Sequence, residues 1–214
     1  VTPAVKICGL TRRTDAETAV RAGCRYLGAV LAPSTRRVEP AVAAAMFDGL
    51  AVSRVGVFVN AGERELARAA DGARLDVLQL HGDEGPELFD ALRNVGAWQL
   101  WKAVRVRGPA DLDEAIDRFA GVADALLLDA WAEGARGGTG RTFPWQEVAQ
   151  VRDRMPAGLG LVVAGGLRAS NVLRALEVLR PDVIDIGSGV ETSPGIKDHD
   201  EIGRLMDTLR DGNR

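Results

Sequence analysis

The chain has 214 residues, 46% of them hydrophobic, enough to bury a sizeable core in one large domain or two small ones. A formal net charge of -3 leaves no basic field for nucleic acid or a membrane surface, and the longest nearly uncharged run, residues 157–167, is far short of the roughly 18 residues of a membrane span. Two cysteines make no disulfide framework and no signal peptide precedes the first strand, so a reducing cytoplasm is the expected compartment.

The first strand is read at residues 4–8, within Val5-Lys6-Ile7-Cys8-Gly9. Alternation along a strand puts Lys6 and Cys8 on one face and Val5 and Ile7 on the other, so two polar or reactive groups share a face of an apolar strand. Thr14 and Asp15 are expected to cap a helix that runs to Ala22 and stops at Gly23. A strand over 26–31 follows, then a helix over 40–47 that opens on Pro40, a residue the first helical turn tolerates. Next come a strand over 55–59, a helix over 63–70, and a strand over 75–80 closed by His81 and Gly82.

The second half keeps the rhythm. Helices are expected over 86–94 and 110–119 and strands over 99–104 and 125–129. A Gly-rich loop over 130–142 interrupts the beat before a helix over 145–154. A strand over 160–164, a helix over 170–179, a strand over 183–187 and a last helix over 198–209 complete eight β/α units. Continuous apolar strands such as Ala125-Leu126-Leu127-Leu128 suit parallel strands buried on both faces. Eight units in this length predict a compact (β/α)8 barrel, with residues 1–214 as one catalytic domain. The rival is a doubly wound open sheet, but no Gly-x-Gly-x-x-Gly follows the first strand.

A barrel of this kind works at the carboxyl ends of its strands, and a dense polar rim is expected there. Gly165-Gly166 and Gly187-Ser188-Gly189 follow the seventh and eighth strands, where glycines let successive N–H groups approach an anion. Glycines after strands also simply make tight turns, but the doubled placement favours phosphate. Cys8 is a candidate base or nucleophile as the thiolate; a free thiol with a pKa near ~8.5 needs help to ionise, and Lys6 on the same face is a candidate source. Cys24 is read as a small core residue. Asp129 ends the sixth strand across the barrel, where partial loss of water raises a carboxyl pKa toward proton donation; bracing the following loop is the equal alternative. Arg36 and Arg37 suit a carboxylate or phosphate clamp, although from spacing alone loop arginines are read as solvated. His199 is read as a surface residue, and no His or Cys cluster has metal-ligand spacing.

At these residues the chain resembles the phosphoribosylanthranilate isomerase family, (β/α)8 enzymes of tryptophan biosynthesis. The resemblance runs end to end through Lys6-Ile7-Cys8-Gly9, Ser34-Thr35-Arg36, Gln79-Leu80-His81-Gly82, Leu127-Leu128-Asp129, Gly137-Gly138-Thr139-Gly140, Gly165-Gly166-Leu167, Ser188-Gly189-Val190-Glu191 and Gly195-Ile196-Lys197-Asp198. It implies an Amadori rearrangement of a phosphorylated aminoaldose without a cofactor. It also implies Asp129 as general acid, Cys8 as base, Arg36 on the anthranilate carboxylate, the two glycine turns as phosphate cup, and Asp185 on sugar hydroxyls. Gln79 and His81 are expected to line the same substrate pocket.

The chain departs from the family at Gly28-Ala29-Val30-Leu31, which lacks the aromatic residues often found there, and at Gly187, where a serine is common. Two rivals are kept. An indole-glycerol-phosphate synthase needs a lysine and glutamates on its strand ends, against which the thiol of Cys8 argues. A non-catalytic phosphate-binding barrel would not depend on Cys8 or Asp129. No interaction segment is visible, so a monomer with a small phosphorylated substrate is expected.

Overall fold

A computed structural model of the chain describes residues 3–130 and 144–212. Eight strands close into a parallel barrel in chain order: β1 (Ala4–Cys8), β2 (Tyr26–Val30), β3 (Ser53–Phe58), β4 (Val77–Leu80), β5 (Gln99–Val106), β6 (Ala125–Ala130), β7 (Gly160–Val163) and β8 (Val183–Ile186). The helices α1 (Arg13–Ala22), α2 (Pro40–Phe47), α3 (Glu63–Ala73), α4 (Pro86–Arg93), α5 (Pro109–Phe119), α6 (Trp145–Arg152), α7 (Val172–Leu179) and α8 (His199–Asp211) alternate with them. Three helices open on proline at the position where its missing N–H costs nothing, and Gly23 closes α1 in the left-handed region at φ 103.

Several expected boundaries move, each for a local reason. Thr14 and Asp15 do not cap α1; the helix already begins at Arg13, and the Asp15 carboxylate is buried on other partners. β4 starts at Val77 because Leu75 belongs to the preceding turn, where its N–H reaches back to the Ala70 carbonyl. α7 starts at Val172 because the Arg168 N–H bonds the Asn171 side chain and holds 168–171 in a turn. β8 leads into a 3-10 turn, Ser188–Val190, and then an antiparallel hairpin of β9 (Glu191–Ser193) and β10 (Ile196–Lys197) that the sequence pattern does not signal. The Gly137-Gly138-Thr139-Gly140 motif and most of the expected loop over 130–142 lie outside the described residues.

Period-two alternation sorts the strand residues into two cores. Outward side chains such as Ile7, Leu27, Leu78, Leu126 and Ile184 are fully buried beneath the helices. Inward side chains at the amino end, among them Val55, Val77, Trp101, Leu127 and Val183, fill the barrel, with Tyr26 tilted against Trp101 at 5.1 Å between ring centroids. Two residues further along, the inward positions turn polar: Val77 gives way to Gln79, Leu127 to Asp129 and Val183 to Asp185. The same alternation carries β1 from Ala4 through Lys6 to Cys8. The plug is therefore apolar at one end and chemically equipped at the other.

Candidate active site

The equipped end opens into a cavity of about 600 Å³. Cys8, Arg36, Gln79, His81, Asp129, Gly165, Gly166, Asp185, Gly187, Ser188 and Gly189 all line it, so the residues singled out in the sequence meet in one place. Strand pairing brings them there: β1 runs beside both β2 and β8, aligning Lys6 with Asp185 and Cys8 with Gly28. Gly28 leaves room for the thiol, since a methyl group at that position would stand 2.9 Å from Cys8 Sγ.

Lys6 is wholly buried and organises the floor. Its ammonium donates to Asp185 Oδ2 at 2.7 Å and to Gln79 Oε1 at 2.9 Å. Burial works against the charged ammonium, but Asp185 and Cys8 outweigh it and hold the Lys6 pKa above its ordinary value. Lys6 helps the Cys8 thiol to ionise, as their shared strand face led one to expect, but not enough to bring it below its ordinary value. Burial is the largest influence on the thiol and pushes it up; Lys6 and Lys197 pull it down, Asp185 pushes it up again, and burial prevails. Cys24, by contrast, is a core residue whose thiol burial pushes up to about 12.

Asp129 stands on β6 with Oδ1 accepting the Ala130 N–H at 2.9 Å. Its Oδ2 lies 3.3 Å from His81 Nε2, off the line of a hydrogen bond. His81 Nδ1 in turn meets Gln79 Nε2 at 3.1 Å. Asp185 lines the cavity, and its Oδ1 is buried without a hydrogen-bond partner.

Arg36 is not the solvated loop arginine that spacing suggests. Its Nε and Nη2 donate to Glu191 at 2.9 and 2.6 Å, a bidentate pair that leaves the Nη1 edge of the guanidinium unused by Glu191. Arg37 does remain exposed, paired with exposed Glu39. Glu191 also accepts from Lys197 at 2.8 Å, and the buried Lys197 ammonium donates to the carbonyls of Cys8 and Gly187 at 2.5 and 3.0 Å. Burial alone would raise the Glu191 carboxyl, but the hydrogen bonds from Arg36 and Lys197 take it below its ordinary value. Sequence reasoning assigned neither Glu191 nor Lys197 a role. Both sit in motifs that carried the resemblance, which was the available signal, but their partners lie on other elements.

Gly165 and Gly166 have φ of 82 and 67, a left-handed backbone that favours glycine, and Asn171 Nδ2 braces the turn by donating to the Gly166 carbonyl at 2.9 Å. Gly189 packs so closely on the Leu167 carbonyl that no side chain fits there. The two turns thus form one glycine-rich wall of the cavity, suited to an anion. Among the described residues no group of three or more His, Cys, Asp or Glu side chains is placed to hold a metal ion, and no helix is long and apolar enough to cross a membrane. A thiol and a carboxyl group around one cavity, with an arginine edge and an anion wall, equip it to move protons on an anionic substrate.

Residues 5–208 match the family model described as N-(5'-phosphoribosyl)anthranilate (PRA) isomerase. The N-(5'-phosphoribosyl)anthranilate isomerase of Acidithiobacillus ferrooxidans is 41% identical over 209 residues, covering 96% of this chain and 97% of that protein. Among solved structures, one of monomers derived from the dimeric phosphoribosylanthranilate isomerase of Thermotoga maritima is 36% identical with a TM-score of 0.86, over 98% of this chain and 99% of that one. Another, a phosphoribosylanthranilate isomerase in complex with reduced 1-(o-carboxyphenylamino)-1-deoxyribulose 5-phosphate, is 34% identical with a TM-score of 0.85 over the same shares.

Proposed function

The chain belongs to the N-(5'-phosphoribosyl)anthranilate isomerase family, and on that premise we propose a division of labour among the side chains around its cavity. The reaction is the rearrangement of a phosphorylated aminoaldose, N-(5'-phosphoribosyl)anthranilate, to the aminoketose 1-(2-carboxyphenylamino)-1-deoxyribulose 5-phosphate in tryptophan biosynthesis. Asp129 is the general acid. It protonates the furanose ring oxygen as the bond from that oxygen to the anomeric carbon breaks, and the nitrogen lone pair closes the Schiff base. Cys8 as thiolate then removes the proton from C2′, giving an enolamine that tautomerises to the ketone.

The thiol must ionise against its burial, and the positive charge of a protonated Schiff base beside it works in that direction, as Lys6 and Lys197 already do. Arg36 takes the anthranilate carboxylate on the guanidinium edge that Glu191 leaves free. The glycine turns after β7 and β8 take the phosphate, and Asp185 Oδ1 accepts a sugar hydroxyl. Residues 1–214 act as one catalytic domain, as a monomer in the cytoplasm, with a small phosphorylated substrate and no cofactor.

The observation that carries this reading is the placement of Cys8 and Asp129, from β1 and β6, on the wall of a single cavity. Anthranilate-type fluorescence should fall rapidly when the purified protein meets freshly made phosphoribosylanthranilate. Cys8→Ser and Asp129→Asn should each lower kcat by about 10²–10⁴-fold while the reduced product analogue still binds. Wild-type turnover in either variant would remove that residue from its role.

A further inference from the structure

Lys6, Gln79, His81 and Asp129 form a line from the floor of the barrel to the acid, and the chemistry of its first member determines the rest. An ammonium only donates. Gln79 must therefore present its carbonyl oxygen to Lys6, 2.9 Å away, and turn its NH₂ toward His81 Nδ1 at 3.1 Å. A ring nitrogen facing an NH₂ is a bare lone pair, so the proton of the neutral imidazole lies on Nε2. That N–H is buried, has no hydrogen-bond partner, and stands 3.3 Å from Asp129 Oδ2. Because Asp129 Oδ1 already accepts the Ala130 N–H, Oδ2 is the oxygen left to carry a releasable proton.

We propose that Lys6 and Gln79 lock His81 in its Nε2–H tautomer, and that this N–H closes a hydrogen bond to Asp129 Oδ2 as the carboxyl gives up its proton. The proposal rests on Asp129 being the acid of the reaction. In that step the O–H bond at Oδ2 breaks, its proton goes to the ring oxygen, and the electron pair left on Oδ2 meets the N–H of His81, which keeps its own proton throughout. A lone pair at Nε2 would repel the new carboxylate. An imidazolium would hold Asp129 ionised before the substrate arrived. A neutral donor does neither, so Lys6, Gln79 and His81 are positioning residues that act through Asp129.

The chain has two histidines, which makes the tautomer directly observable by nitrogen NMR on protein labelled with ¹⁵N-histidine; His81→Asn identifies which signals belong to His81. The wild type should show His81 with a protonated Nε2 and an unprotonated Nδ1. In Gln79→Met, of similar length but without the amide, that signature should relax toward a mixture of tautomers. Its kcat should fall about 10²-fold, a loss larger than any it causes in affinity for the reduced product analogue. A wild-type His81 protonated on Nδ1, or an averaged pattern, overturns the proposal without any variant. Wild-type kcat in Gln79→Met also overturns it. If Asp129→Asn keeps wild-type turnover, the acid assignment falls and the proposal falls with it; if Asp129→Asn is inactive and Gln79→Met is not, only the proposal falls.

Discussion

Cys8 shows how a single residue is pulled in opposite directions by its surroundings. Burial lifts its thiol above the ordinary value, while Lys6 and Lys197 act against that lift without cancelling it. A thiol held above its ordinary value is the protonated form near neutral pH. Iodoacetamide reacts with the thiolate, whose fraction rises about tenfold per pH unit below the pKa. Labelling of Cys8 should accordingly be slow near pH 7 and accelerate about tenfold per unit toward pH 9, followed by mass spectrometry of the modified peptide. Cys24, pushed up to about 12 and enclosed by the core, should stay unlabelled over the same range. A flat rate for Cys8 across that range would mean the thiolate is already formed.

At the scale of elements, two additions to the repeating β/α pattern brace the site. The β9–β10 hairpin supplies Glu191 and Lys197, which tie Arg36 to the carboxyl ends of β1 and β8. The second is a latch between α1 and α8. Asp15, fully buried in α1, accepts from Arg12 at 2.7 and 3.0 Å, from His199 Nε2 at 2.8 Å and from the Lys197 N–H at 3.1 Å. Burial alone would raise this carboxyl, but the hydrogen bonds from Arg12, then His199, then the Lys197 backbone leave it below its ordinary value.

A depressed carboxylate contributes stability that is present above its unfolded pKa, about 3.9, and is lost as pH falls through the lower folded value. Asp15→Asn should therefore cost about 2 kcal/mol at neutral pH, from weakened charge-assisted hydrogen bonds. In a chain of this size that lowers Tm by about 4–8 °C. The gap between wild type and variant should shrink below about pH 4. Thermal melts from pH 3 to 7 test it, and an unchanged Tm at neutral pH would show that the latch contributes little.

For the whole molecule, closure of the barrel is what turns eight separate strand ends into one site: β1 pairs with β8, so Lys6 meets Asp185 although 179 positions separate them. The outer surface of the described residues offers no comparable focus. Among the described residues the exposed large hydrophobics are Val42, Val95 and Leu173, on α2, after α4 and on α7, scattered singly as on ordinary solvated surfaces. Light scattering on purified protein at micromolar concentration should give the mass of one chain; a dimer would show that an interface has been misread as solvent-facing surface.

The alternation of apolar strands with helix starts, stops and glycine turns was sufficient for a (β/α)8 barrel, because period, capping and burial on both strand faces are local properties of the chain. The same rule put Lys6 and Cys8 on one face, and strand ends with glycines named the residues that line the cavity. What the tertiary structure alone decided is who meets whom. Arg36 looked solvated because its partner Glu191 is 155 positions away; Asp15 looked like a cap because His199 and Lys197 lie 184 and 182 positions further on. That Lys6 favours the Cys8 thiolate was legible from their shared face, but nothing near it in sequence shows that Asp185 and Gln79 share its charge, or how deeply the thiol is buried. Ion pairs, tautomers and pKa shifts depend on distance and dielectric in three dimensions, and those exist only once the barrel has closed.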